Sequence, residues 1–162
     1  MCEIIEVSLD DLPPFEALSY TWGGQEPDIP LSINGKDLKV TPNAEEFLFY
    51  QRSIFGPRYF WIDAICINQD CGDKEGQLPH MTEIYKKASR VLVWLGPPQS
   101  IWQARGLDMA IQISEFCRIV GDVTTPGGDL IFNGLLNEEF AFEALGALFR
   151  HGWFERMWVI QE

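Results

Sequence analysis

The sequence predicts an α/β fold, a parallel sheet flanked by helices, with an added N-terminal strand and hairpin and a helical insertion. Three observations point there. The stretches "RYFWIDAICIN" (58–68) and "RVLVWLG" (90–96) are apolar at nearly every position, as expected of strands covered on both faces. A third mostly apolar run occupies 15–20, in "FEALSYTWGG". Helical periodicity falls between these runs, and strand, helix, buried strand, helix, buried strand is the order that crossover connections turn into a parallel sheet.

In chain order, "CEIIEVSL" alternates and stops at "DDLPP", which reads as a short strand and turn. After the 15–20 strand, Gly23 and Gly24 break the chain, and "IPLSINGKDLKV" alternates on both sides of Asn34-Gly35, a strong hairpin signal. Thr41 and Pro42 supply an N-cap and first helical position, and Ala44, Phe47, Leu48, Gln51 and Phe55 share a face until Gly56-Pro57. The polar loop "QDCGDKEGQ" leads into a helix with Met81, Ile84, Tyr85 and Ala88 on one face. Beyond Gly96-Pro97-Pro98, Met109, Ile113, Phe116 and Val120 predict a helix over 101–120. "GDVTTPGGD" reads as a loop, and helices over about 138–150 and 153–162 complete the chain.

Composition narrows the function. At 162 residues, 46% hydrophobic and rich in Trp, the chain is predicted to be a single packed domain, 1–162. A net charge of −12 repels nucleic acid and anionic membranes, although Arg58, Arg90 or Arg156 could hold a small anion locally. No stretch approaches the roughly 20 apolar residues of a membrane span. Four scattered cysteines and an N-terminus without a leader pattern predict a reduced, cytoplasmic protein. Cys66 and Cys71 lack the second ligand pair of a zinc site, so no metal is expected. His80 and His151 accompany no nucleophile motif, and neither a P-loop nor a G-x-G-x-x-G occurs.

Ligands of open α/β sheets bind outside the carboxyl ends of the strands. Those ends carry Ser19, Tyr20 and Trp22, then Asp63 with Asn68 and Gln69 beyond it, then Trp94. A carboxylate in the apolar run around Asp63 needs a partner or a ligand. The plainer alternative is an Asp that caps a turn, and Ser19 to Gly23 reads equally well as a simple strand exit. Trp158 and Glu162, four apart, share a helical face, and Glu162 alone reads as a solvated helix residue.

Three blocks change that weighting. "FEALSYTWGG" (15–24), the block 59–98 that begins "YFWIDAICINQDCGDKEGQ" and runs through "VLVWLGP", and "WFERMWVIQE" (153–162) resemble the signature blocks of the fungal heterokaryon incompatibility (HET) domain. That resemblance implies a death-inducing module of fungal self/non-self recognition and innate immunity. It also implies a TIR-like, flavodoxin-like sheet: "LSYTWGG", "FWIDAICINQD" and Trp158 to Glu162 are similar to the first strand and loop, the Asp-ended strand and the W-x-x-x-E helix of TIR domains. The departure is an insertion of about 97–152 before the last block. In TIR enzymes that cleave NAD, the Glu of W-x-x-x-E is catalytic. The resemblance therefore implies Glu162 as catalytic residue, with Ser19, Tyr20, Trp22, Asp63, Asn68, Gln69 and Trp158 around the substrate. NAD or a related nucleotide would be substrate rather than cofactor, and no cofactor is expected. The alternative is a non-catalytic module of self-association or recruitment, under an upstream sensor. Ending inside a helix on "WVIQE", the sequence is expected to belong to a longer protein.

Overall fold

A computed structural model describes residues 2–67, 73–120 and 140–156, with side chains described outside 73–79 and 119–120. The chain divides into two compact units, 1–96 with the segment from Arg156, and 97–155.

The first unit is built on a three-stranded parallel sheet of β1 (Glu16–Tyr20), β4 (Phe60–Trp61) and β5 (Arg90–Trp94), in the order β4-β1-β5. β2 (Ile29–Ile33) and β3 (Lys36–Val40) form a separate antiparallel hairpin, turning at Asn34 and Gly35, both with positive φ. Among the parallel strands the spatial order is second, first, third, the start of the flavodoxin-like order. The fold is therefore α/β, with helices on both faces of the sheet.

Alternation along β1 sends side chains to both faces. Leu18 and Tyr20 pack with Val40, Ala44, Phe47 and Ile62 against α1 (Pro42–Tyr50). Ala17 packs with Phe15, Ile84 and Tyr85 against α3 (Asp73–Lys87). Because α1 connects β1 to β4 and α3 connects β4 to β5, the direction of winding reverses at β1, with β4 on one side and β5 on the other. The amino ends of the strands are fastened by Glu16, which accepts from both Arg58 and Arg90. Those two arginines are thereby committed to the edge of the sheet opposite the ligand-binding edge, which corrects the expectation that either holds an anion.

Four predicted elements differ from those observed. "CEIIEVSL" forms only an isolated bridge, Cys2 to Ile33, with Asn34 bonding both the Ile4 amide and carbonyl. The helix expected to reach Phe55 ends at Tyr50, and the amide of Phe55 bonds Ser53 Oγ instead. The long strand predicted over 58–68 is two residues of β4 followed by the single turn α2 (Asp63–Cys66). A continuous apolar run fits a buried strand and a buried helical turn equally well. Finally, α3 begins at Asp73, inside the predicted loop, despite Gly76 and Pro79, residues of low helix propensity.

The second unit contains α4 (Ile101–Val120), α5 (Ala141–Phe149) and a 3-10 turn, Gly152–Glu155. Met109 and Phe116 of the predicted face are buried. The helices α4 and α5 approach closely at Gly106, where a Cβ would overlap the Ala144 carbonyl oxygen. The predicted loop "GDVTTPGGD" and most of the 153–162 helix lie outside the described residues.

Candidate functional site at the carboxyl ends of the strands

At the end of β1 the chain leaves the sheet through Thr21 and a tight turn, Trp22 to Gln25, closed by Gln25 N donating to Trp22 O at 2.9 Å. Gly23 and Gly24 both take positive φ (59° and 72°), the backbone of a type I′ turn, which disfavours side chains at both central positions. Asn43, in the first turn of α1, holds this loop: its Nδ2 donates to Thr21 O at 2.8 Å, and its amide donates to Gln25 Oε1 at 3.0 Å. The N-terminus of α1 is thus fixed beside the carboxyl end of β1, with Thr41 as its buried cap.

Ser19 and Tyr20 sit at this edge on opposite faces, and neither is a surface residue. Tyr20, 1% exposed, is enclosed in the core between β1 and α1. Among the described residues its hydroxyl makes no hydrogen bond of normal geometry, an uncommon state for a buried polar atom. Burial first, and then the Asp63 carboxylate, push it far above its ordinary pKa, with Arg156 acting in the opposite sense. Trp94, paired in register with Tyr20, also buries a ring nitrogen that lacks a hydrogen-bond partner among the described residues.

Asp63 opens α2 immediately after β4, half-buried, with Oδ1 accepting from the Ala64 amide at 2.7 Å. That contact bonds a neighbouring backbone amide but does not cap the turn, whose cap position is Ile62 with no side-chain cap bond, and the carboxylate is also felt by Tyr20 and Cys66. The Cys66 thiol is raised mainly by burial, its sulfur accepting from Ile62 N at 3.4 Å.

On the other face, Arg156 Nη1 lies 3.5 Å from Ser19 Oγ, a contact between residues 137 apart in sequence. The structure therefore gathers Ser19, Tyr20, Asp63 and Arg156 at the carboxyl edge, with Trp22 half-buried in the adjoining loop. Asn68, Gln69, Trp158 and Glu162 lie outside the described residues. Thr41 and Asn43 were missed as neighbours of this edge, although the "TPN" start of α1 signalled a helix N-terminus there. A shallow depression of about 440 Å³ lies beside the glycine turn, between Gln25 and Glu45, Glu46, Phe49 and Tyr50 of α1. Among the described residues no group of three His, Cys, Asp or Glu is arranged to hold a metal, and no helix is long and apolar enough to cross a membrane.

A doubly wound α/β unit whose polar side chains converge at the carboxyl edge defines the class, an α/β domain of flavodoxin-like type. The family described as heterokaryon incompatibility protein (HET) matches residues 15–162, and the chain belongs to it. It is 28% identical over 196 residues to heterokaryon incompatibility protein 6, OR allele, of Neurospora crassa. That match covers 99% of this chain and 29% of the relative, so the chain spans less than a third of the protein it resembles. No solved structure matches.

Proposed function

We propose that this chain is the death-inducing domain of a heterokaryon incompatibility protein and that it hydrolyses NAD to nicotinamide and ADP-ribose through Glu162. The observation that carries the reading is the contact of Arg156 with Ser19. It sets Arg156 at the edge of the sheet where α/β folds bind ligands, two and six residues before Trp158 and Glu162 in the sequence. The HET match through residue 162 and the likeness of its W-x-x-x-E to that of TIR enzymes support the same reading.

The chemistry needs one carboxylate. The bond between ribose C1′ and the nicotinamide nitrogen breaks with its electron pair going to the nitrogen, so a cationic ring departs neutral and needs no general acid. The ribosyl cation left behind is stabilised by the Glu162 carboxylate, and water adds at C1′ and releases a proton. Arg156 binds the diphosphate, as a guanidinium suits a phosphate oxygen pair. Ser19, Asp63, Asn68 and Gln69 bond the ribose hydroxyls or the carboxamide. Trp22, in the loop after β1, supplies the ring that stacks, while Tyr20, enclosed at the end of β1, acts through its hydroxyl and Trp158 shapes the face next to Glu162. The domain works in the cytoplasm, clustered by an upstream sensor.

Nicotinamide release by the chain extended past residue 162, beside its Glu162→Ala variant, tests this. Release in the parent and at least about a hundredfold loss in the variant, with an unchanged melting curve, is expected. Equal turnover in both would remove Glu162 from the mechanism.

A second reading, a self-associating module without turnover, is favoured by one observation. Ile54 and Phe55 are 92% and 97% exposed, an unusual outlay of apolar surface. Assembly and killing that persist in the Glu162→Ala variant would select it.

A further inference from the structure

Two segments of the first unit leave apolar side chains uncovered, and their charges are opposite. The first is the turn after α1. Ile54 and Phe55 stand at its tip, Phe49 and Tyr50 are more than half exposed on the last turn of the helix, and the Arg52 guanidinium lies 4.5 Å over the Phe49 ring. The turn is ordered by its own bond from Phe55 N to Ser53 Oγ, 3.2 Å. Residues 47–62 contain no Asp or Glu, although the whole chain has twice as many acidic as basic residues. The carboxylates of α1, Glu45 and Glu46, lie earlier on the helix in the depression with Gln25.

The second segment is the N-terminal strip. Ile4, Ile5 and Val7 are exposed and interleaved with Glu3 and Glu6, and the first Lys or Arg of the sequence is Lys36. The strip is fastened at Ile4 by Asn34, at 3.1 and 2.9 Å, with the side chains of Ile4, Ile5 and Val7 exposed. Lys87 lies at its far end, on the Leu9 carbonyl and in an ion pair with Glu83.

We propose that these segments are the two halves of a head-to-tail contact between copies of this chain, the Arg52-bearing apolar turn of one copy seating against the acidic apolar strip of the next. A net charge of −12 makes indiscriminate self-contact repulsive, so any contact between copies has to match opposite local charges. The turn and the strip offer that match together with apolar side chains on both sides. Because the two surfaces differ, the contact is heterologous and repeats along a chain of copies instead of closing as a two-fold pair. Two short segments bury less than the roughly 1,200 Å² of a standard interface, so the assembly is weak, concentration-dependent and salt-sensitive. The inference deepens the self-association reading above and is independent of Glu162 and of NAD turnover.

Sedimentation velocity at low salt, over a wide range of protein concentration, tests it. The wild-type coefficient is expected to rise with concentration and to fall back on addition of salt. Arg52→Glu alone, and Glu3→Lys with Glu6→Lys in a second protein, each weaken association by about tenfold or more. Mixing the two proteins restores it, since every reversed charge then faces its opposite. Phe55→Ser weakens association too and is not rescued by mixing with the Arg52→Glu protein; its nearly complete exposure leaves the fold unaffected, which circular dichroism checks. A wild type that stays monomeric throughout overturns the proposal and assigns the surfaces to another occupant. So does a Glu3/Glu6 variant that associates as well as wild type, which would mean turn against turn, or a mixture of reversed proteins that remains monomeric.

Discussion

Gly106 in α4 and Gly146 in α5 should respond oppositely to the same added methyl group. Replacing Gly106 in α4 by alanine places a Cβ on the Ala144 carbonyl oxygen and within 2.9 Å of both the Ala144 carbonyl carbon and Leu148 Cβ. None of these is a movable side-chain end, so α4 and α5 have to separate or shift. Overpacking costs about 1–3 kcal/mol, and a clash with backbone belongs to the upper end, about 2–3 kcal/mol, against which alanine recovers about 1 kcal/mol of helix propensity. The net expectation is a loss of about 1–2 kcal/mol, a fall in melting temperature of about 2–8 °C for a chain of this size. In Gly146→Ala the new Cβ meets only the Arg150 guanidinium, Nη1 at 3.2 Å and Cζ at 3.9 Å, the far end of a flexible side chain. There the propensity gain survives, and stability rises by up to about 1 kcal/mol. Urea and thermal unfolding followed by far-ultraviolet circular dichroism and by fluorescence, to which Trp102 and Trp153 of this unit contribute, measure both variants. A Gly106→Ala protein as stable as its parent, or a shift of the same sign in both variants, would refute the close approach of the helices.

Tyr20→Phe removes a buried hydroxyl that makes no hydrogen bond of normal geometry among the described residues, so stability is expected to stay level or rise by about 1 kcal/mol. A fall in NAD turnover with that stability intact would show that the hydroxyl serves the ligand; a loss of more than about 2 kcal/mol would show instead that it is bonded in the folded protein. For Glu16, burial alone would raise the carboxyl, but the bonds and charges of Arg58 and Arg90 outweigh it and hold the pKa below the ordinary 4.5. Its contribution to stability is therefore complete above pH 4.5 and is lost as pH falls through the lower folded-state value. Glu16→Gln should lower stability at neutral pH and flatten the acid limb of the stability curve, and a limb of unchanged slope would dissociate the pair from acid unfolding.

The site shows where local pattern stops being informative. Ser19, Tyr20 and Asp63 were legible because strand ends in an α/β sheet are ligand edges, and the structure sets all three at that edge. Their different surroundings were not legible. Alternation puts Ser19 and Tyr20 on opposite faces, but Tyr20 is enclosed because α1 covers its face, and Ser19 meets Arg156 because a segment 137 residues away returns to it. Asp63 stands in an apolar run whose hydrophobicity is the same whether it continues as a strand or bends into α2, and the bend is set by Ile62 O accepting from both Ile65 and Cys66.

Sequence by itself determined what depends on neighbours in the chain. The alternation around Asn34-Gly35 made a hairpin, Thr41-Pro42 started α1, the apolar run 90–95 made β5, and the three blocks carried the family. Tertiary structure alone decided which partner each long-range charge met. Arg58, Arg90 and Arg156 are equivalent as residue types, yet two close on Glu16 at the amino edge, across 42 and 74 residues, and the third reaches Ser19 at the carboxyl edge. An ion pair is a matter of a few ångströms of space, and separation along the chain says nothing about that distance until the sheet has set its strands in register.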